Sequence, residues 1–376
     1  MRTADLDFDR SEYDQRVAAV RRQMAQRDID VLIVDQFEHL VYLFGYLPTA
    51  AKYQACLLPT DGDPHMVVRS MDLPVFSHQS WLTSHTQFAD SEDPVAIAVR
   101  ELKTRWGSVL RLGLEFDSHL LTVQRYRQFK DELPHCDFVD FSGILAEQRL
   151  YKSPAEIEYL RQAARIADQC MAAAVDAAAL GVSEREPAAA AYSTAMRRGA
   201  DNGRVLLSAS GALSDSIHGR LGTRVLEDGD VLHLEMVPQV RGYSARLMRP
   251  TVVGTCPDAI SGVAERLIAI QDEQIAAMQP GELGSTVDAI ARQRVLADGL
   301  RENYHDHTGY TLGYHAQPRT SDHTRIFTPA ADWKLQPGMV FHMFLSAHGV
   351  AIGETVLVTE SGPQTLTKTN RRLFTR

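Results

Sequence analysis

The sequence predicts two mixed α/β domains that meet near residue 149, and two observations carry this. Over residues 1–145, short apolar runs alternate with stretches of helical spacing, the pattern of a small α/β layer. Beyond them, Ser153-Pro154-Ala155-Glu156 is a strong helix start: Ser at the N-cap, Pro at the first helical position, then an early acid. We therefore expect domains at 1–148 and 149–376, the second of α/β (α+β) character. A chain of 376 residues has room for two or three domains, each with its own core.

In chain order, residues 13–27 place Val17, Val20 and Met24 at helical spacing with basic residues between. Val31-Leu32-Ile33-Val34 reads as a buried strand, and a helical piece around His39 to Phe44 stops at Gly45. Ala55 to Leu58, a turn at Asp61-Gly62-Asp63-Pro64, and Met66-Val67-Val68 form a hairpin signal; Leu112 to Glu115 is a further strand. After the helix that opens at Ser153 we expect helices at 186–199, 258–278 and 285–299. Strands are expected at 205–210, 231–237, 243–253, 339–345 and 351–358.

The formal net charge of -9 argues against non-specific nucleic-acid binding, which needs a basic surface. Cysteines 56, 136, 170 and 256 make no metal-binding or disulfide pattern and read as reduced thiols. The polar start MRTADLDFDR and the lack of an apolar run of ~18–20 residues predict a cytoplasmic protein without a membrane partner.

Several segments, in this order and spacing, resemble the creatinase/prolidase/methionine-aminopeptidase family. They are Leu112-Gly113-Leu114-Glu115, Arg149 to Ser153 with Glu156-Ile157, Ser210-Gly211 through His218, Asp228-Gly229-Asp230, Gly242-Tyr243 through Arg249, Pro337 to Val340, and Glu354 to Val358. The resemblance implies a small creatinase-type N-terminal domain followed by a pita-bread domain. It also implies five positions that in metal-dependent members carry two Asp, one His and two Glu. Here they read Glu235, Arg246, Tyr310, Phe344 and Gly353. Divalent metals need several oxygen or imidazole donors converging on one point. The expected metal-ligand set is therefore none, with no cofactor. The chain resembles the metal-free branch, of which creatinase and ectoine hydrolase are members, through Glu235, Gly309-Tyr310-Thr311-Leu312-Gly313 and Phe341-His342. The acidic positions of creatinase are Met248 and Gly353 here, and the loop His315 to Thr328 departs from the ectoine hydrolase pattern.

From the resemblance, His218 is the expected proton shuttle, the alternative being a loop histidine in water. Glu235 shares a strand face with His233. It is the expected nucleophile or amidinium partner, the alternative being a structural ion pair with Arg246. Arg246 would clamp a substrate carboxylate. His342 and Phe344 share one face and would line the pocket with Tyr310, the alternatives being a core histidine with one satisfied hydrogen bond and a purely packing Tyr310. Glu354 falls on the opposite face unless a bulge at Gly353 turns it inward. The resemblance implies that Lys52 and Tyr53, and Arg69 and Asp72 after the next strand, would reach the partner's pocket in a homodimer, the alternative being an exposed loop. His305, His307, His315 and His323 lie in a polar loop without zinc spacing and read as loop residues.

These expectations converge on a metal-independent hydrolase of a C–N bond in a small zwitterionic cyclic amidine or amide. The alternatives are a non-catalytic binding module, a creatinase-like or X-Pro peptidase-like hydrolase of another substrate, and a lyase or peptidase with an unusual metal-ligand set.

Overall fold

A computed structural model describes residues 5–201, 205–208, 221–316 and 321–376. The chain divides into two compact units, 1–148 and 149–376. In the first, six strands form one sheet in the order His85–Phe88, His65–Arg69, Ala55–Pro59, Val31–Val34, Arg111–Leu114, Asp137–Asp140. The hairpin forms in antiparallel register, with Ala55 opposite Val67. Val31–Val34 is buried throughout and pairs parallel to Arg111–Leu114 on its other side. The helix Phe37–Phe44 stops at Gly45, whose backbone turns left-handed at φ 77°. A Cβ there would lie 2.8 Å from the Gln79 carbonyl oxygen, so glycine is required twice over.

The second unit opens with the helix Pro154–Ala177, held by a complete capping box. The Ser153 hydroxyl accepts from the Glu156 N–H at 3.2 Å, and the Glu156 carboxylate accepts from the Ser153 N–H at 2.9 Å. Its sheet runs in the order Gly309–Thr311, Val340–Ala347, Val350–Thr359, Leu247–Val252, Val231–Met236, Val205–Ser208, with Gly362–Thr365 and Phe374–Thr375 attached at the side. Strand Gly309–Thr311 was not anticipated from the sequence. The helices Asp258–Ala276 and Gly284–Ala297 lay Leu267, Ile270, Ala291 and Val295 against Leu345 and Ile352. Phe341, Met343 and Val356 continue that buried apolar face.

The strand expected over 243–253 is broken. Tyr243–Ser244 and Leu247–Val252 are separate pieces, and Arg246 sits in the gap. There the Thr355 hydroxyl stands in for a ladder partner. It accepts from the Arg246 N–H at 2.8 Å and donates to the Arg246 carbonyl at 2.8 Å. Among the described residues no helix is long and apolar enough to cross a membrane.

Candidate active site

Residues directly opposite each other in a sheet project from the same face. One row across the second unit's sheet therefore gathers Glu235, Met248, Gly353 and Phe344. Two residues further along on the same face, a second row gathers Thr355, His342 and Tyr310. Topology thus brings together side chains that lie more than a hundred residues apart in the chain.

Arg246 reaches into this group from the strand break. Its Nη1 donates to Glu235 Oε1 at 2.6 Å, and its Nη2 donates to the Ser321 hydroxyl at 3.2 Å. Its guanidinium carbon lies 5.4 Å from the centre of the Tyr310 ring. Both members of the Glu235–Arg246 pair are buried. Burial alone would raise the Glu235 carboxyl, but the Arg246 charge and the neighbouring His233 outweigh it and bring it from 4.5 down to about 2. Glu235 is therefore a carboxylate across the physiological range. His233, two residues away on the same strand face, holds its Nε2 3.9 Å from Glu235 Oε2, too far for a hydrogen bond.

His342 is fully buried, and desolvation pushes it from 6.5 down to about 3, so it is neutral at pH 7. Its ring stacks on Phe344 with centroids 5.3 Å apart and meets Tyr310 edge-on at 5.3 Å. A Cβ on Gly353 would lie 2.6 Å from His342 Cε1 and 3.1 Å from the Met248 thioether. The imidazole thus fills the space that a side chain at position 353 would need. Among the described residues, neither ring nitrogen of His342 nor of His233 has a hydrogen-bond partner. Burial pushes the Tyr310 phenol up to about 12.

Sequence reasoning missed two members of this group. His307 and His323 were read as loop residues, yet their rings lie 5.2 Å apart and each meets Tyr310 edge-on, at 5.3 and 5.2 Å. Burial, then the neighbouring His323, pushes His307 from 6.5 to about 4. The bridge between Tyr310 and Ile326 folds the loop back on strand Gly309–Thr311 and makes this meeting possible. Nothing in the local spacing announces that bridge.

Other expected contributors lie elsewhere. The strand pairing runs without a bulge from Val340 opposite Leu357 to Ala347 opposite Val350, so Glu354 stays on the helix-covered face. There it accepts from Arg249 at 2.6 Å and from Arg371 at 2.7 Å, so a place for Glu354 among the pocket residues is corrected. Tyr53 is also corrected. Its ring is buried in the core of the first unit against Phe129, with Arg125 above it, and cannot reach out to a partner's pocket. Lys52 donates to the Asp90 carbonyl at 3.2 Å. Arg69 forks onto the Asp90 carboxylate at 2.6 and 2.7 Å. Asp72 accepts from Thr49 and Gln54. His218 lies outside the described residues.

The donor set does not suit the pair of divalent metals that the fold implies. Glu235 is the one carboxylate among the five positions, and a guanidinium is bonded to it. The Phe344 ring and the His342-filled space at Gly353 offer no oxygen ligand, and Tyr310 is a protonated phenol. Among the described residues no group of three or more His, Cys, Asp or Glu side chains is arranged to hold a metal ion.

Comparison with known proteins accounts for the architecture. Residues 16–151 match the creatinase/prolidase N-terminal domain, and residues 158–360 match metallopeptidase family M24. An uncharacterised hydrolase/peptidase of Sinorhizobium fredii is 28% identical over 97% of both chains. The ectoine hydrolase of Halomonas elongata is 25% identical over 99% of both. The crystal structure of a prolidase from Thermococcus sibiricus superposes with a TM-score of 0.85 at 23% identity, covering 97% of this chain and 99% of that one. The chain is thus a member of the M24 hydrolase/peptidase family, built as a creatinase-type N-terminal domain followed by a pita-bread domain.

Proposed function

We propose that this M24 protein is a metal-independent hydrolase of a C–N bond in a small zwitterionic cyclic amidine or amide, with ectoine-type ring opening as the reaction that fits best. The observation that carries this reading is the buried Glu235–Arg246 pair flanked by His233 and His342, whose four ring nitrogens lack hydrogen-bond partners among the described residues. A buried polar group left unsatisfied costs about 1–3 kcal/mol. A ligand that supplies the missing partners is favoured in such a place. Full-length similarity to an ectoine hydrolase supports the choice of substrate class.

In this reading, water adds to the amidine carbon and one ring C–N bond breaks. The products are an amide and a free amine that takes up the departing proton. Glu235 Oε1 is engaged by Arg246, so its remaining oxygen faces the amidinium as a fixed negative charge. Arg246 is proposed to clamp the substrate carboxylate. Tyr310 and neutral His342 are preplaced hydrogen-bonding groups for the charge that develops on carbon addition. His218 is proposed as the group that activates water and returns the proton to the leaving nitrogen. Lys52 retains its proposed place near the pocket of a second subunit in a homodimer, which light scattering at micromolar concentration tests.

Similarity to Xaa-Pro dipeptidases of the same family favours a second reading, a peptidase acting on X-Pro dipeptides. One experiment separates the two. Thermal melts are run with ectoine, creatine, hydantoins and X-Pro dipeptides, followed by product assays with and without EDTA. A site-specific ligand raises the melting temperature by mass action. We expect ectoine to raise it and turnover to survive chelation. EDTA-sensitive cleavage of X-Pro dipeptides, with no response to ectoine, overturns the proposal.

A further inference from the structure

Thr355 stands where the long strand Val350–Thr359 changes neighbours. From Val356 to Thr359 it pairs with Gly362–Thr365, whereas Gly353 pairs with Met248 of strand Leu247–Val252. Carried two residues further, the second register sets Thr355 opposite Arg246. In a continued antiparallel ladder the backbone groups of such a pair bond to each other directly. Here they do not. The Thr355 carbonyl accepts from the Leu366 N–H at 2.8 Å, and the Thr355 N–H donates to the Thr367 hydroxyl at 3.4 Å. The Arg246 N–H and carbonyl are left to the Thr355 side chain, whose hydroxyl meets both at 2.8 Å. One hydroxyl is thus wedged between two strands that would otherwise close, and it both accepts from and donates to a single residue.

The consequence lies at the site. Arg246 and Thr355 are both buried. A buried backbone N–H or carbonyl without a partner is costly, so the hydroxyl pins the Arg246 main chain at the separation that the wedge sets. From that place the guanidinium spans two segments. Its Nη1 donates to Glu235 on the neighbouring strand at 2.6 Å, and its Nη2 donates to Ser321 at 3.2 Å. Strand Leu247–Val252 lies between Val350–Thr359 and Val231–Met236, which carries Glu235. A closed ladder would therefore draw the Arg246 backbone away from Glu235 and lengthen the reach of its side chain.

We infer that Thr355 is a positioning residue for the Glu235–Arg246 site: by holding the strands apart at Arg246, its hydroxyl sets where the guanidinium meets Glu235 and Ser321. The inference rests on hydrogen bonds within the fold and is independent of the ectoine reading.

The test uses the full chain and needs no substrate. Thr355→Val deletes the hydroxyl and keeps the shape. Its loss of stability is measured by denaturant unfolding in the wild type and in the Glu235→Gln/Arg246→Met background. A hydroxyl that only satisfies backbone groups gives equal losses, because the N–H and carbonyl at position 246 survive in that background. We expect the loss there to be about half or less of that in the wild type, since no Arg246–Glu235 contact is left to loosen. Exchange of the guanidinium N–H groups, read by NMR after 15N-arginine labelling, is the second measurement, with Arg246→Met and Arg249→Lys assigning the signals. Thr355→Val should speed exchange at Arg246 and leave Arg249, in the pair on the opposite face, as protected as before. Thr355→Ser keeps the hydroxyl and should restore the wild-type behaviour of Arg246. Thr355→Cys, whose thiol bonds weakly, should act like the valine variant but less strongly, and it carries the test if the valine variant does not fold. Equal losses in the two backgrounds, or an unchanged Arg246 in a folded variant of lower stability, overturn the inference and leave Thr355 with a structural role only. Joint exposure of Arg246 and Arg249 also overturns it, because the sheet itself has then opened.

Discussion

One sheet carries two buried Arg–Glu pairs, one on each face, and they differ in their surroundings. Glu354–Arg249 lies on the helix-covered face. Arg249 spends its donors on Glu354, the Asn370 and Thr369 carbonyls, and the carbonyls of Met248 and Gly353. Glu354 takes Arg371 and the Thr367 hydroxyl as well. Backbone carbonyls from distant segments meet there, so the pair ties the C-terminal tail to the sheet. Glu235–Arg246 lies on the other face. Beside it stand two buried imidazoles whose nitrogens have no partner among the described residues, a phenol and a phenyl ring. Buried ionic groups without full hydrogen bonding are costly to keep. A saturated pair reads as a structural tie, and a pair among unsatisfied groups reads as a binding site.

The largest break in this comparison should come at the saturated pair. Glu354→Gln leaves two guanidinium groups without their shared anion and should cost about 3–5 kcal/mol of stability, measured by denaturant unfolding. Activity per folded molecule should change little.

Glu235→Gln should reverse the pattern. We expect turnover to fall ~10²-fold or more, with a smaller loss of stability than at Glu354 because only one cation loses its anion. Adding Arg246→Met should recover stability and leave activity lost. Near wild-type turnover in Glu235→Gln would place this pair in the same structural class as the other.

Gly353→Ala tests whether the His342 ring replaces a side chain at that position. Overpacking of this kind costs about 1–3 kcal/mol, and the cost should largely vanish in a His342→Ala background. Equal costs in both backgrounds would show that the two sites are not coupled.

The smallest effect is in the pH dependence. The folded-state value of Glu235 is depressed from 4.5 to about 2, so its contribution is fully present above about 4.5. It is lost as pH falls through about 2. The stability difference between wild type and Glu235→Gln should therefore be flat from pH 5 to 8 and shrink below about 4.5. A change between pH 5 and 7 would mean that Glu235 is not held by Arg246. The buried Asp35 of the first unit has the opposite sign. Burial raises it from 3.8 to about 7 despite a hydrogen bond from Ser118. Its contribution is full below about 3.8 and lost as pH rises through about 7, so Asp35→Asn should flatten that part of the wild-type profile.

Much of the fold was legible because its signals are local. The cap at Ser153, the buried run Val31 to Val34 and the turn at Asp61 to Pro64 each depend on a few adjacent residues. The five positions at Glu235, Arg246, Tyr310, Phe344 and Gly353 were legible through family likeness, and alternation alone put Glu354 on the far face from Gly353. Tyr53 misled because an aromatic residue in a loop reads the same whether it points outward or into a core. The strand over 243–253 misled for another reason. Its interruption at Arg246 is made by a hydroxyl 109 residues away, at Thr355.

By itself, then, the sequence determined the two-domain α/β order and the element boundaries set by caps and turns, while the reading of Glu235, Arg246, Tyr310, Phe344 and Gly353 as the five metal-ligand positions came from family likeness. Only the tertiary structure decided that His342 fills the space at Gly353, that His307 and His323 join Tyr310, and that one Arg–Glu pair is bonded to the C-terminal tail while the other stands beside buried imidazoles. The physical reason is range. Caps, turns and strand alternation act over two to five residues, whereas these contacts depend on strand register and on hydrogen bonds between segments far apart in the chain.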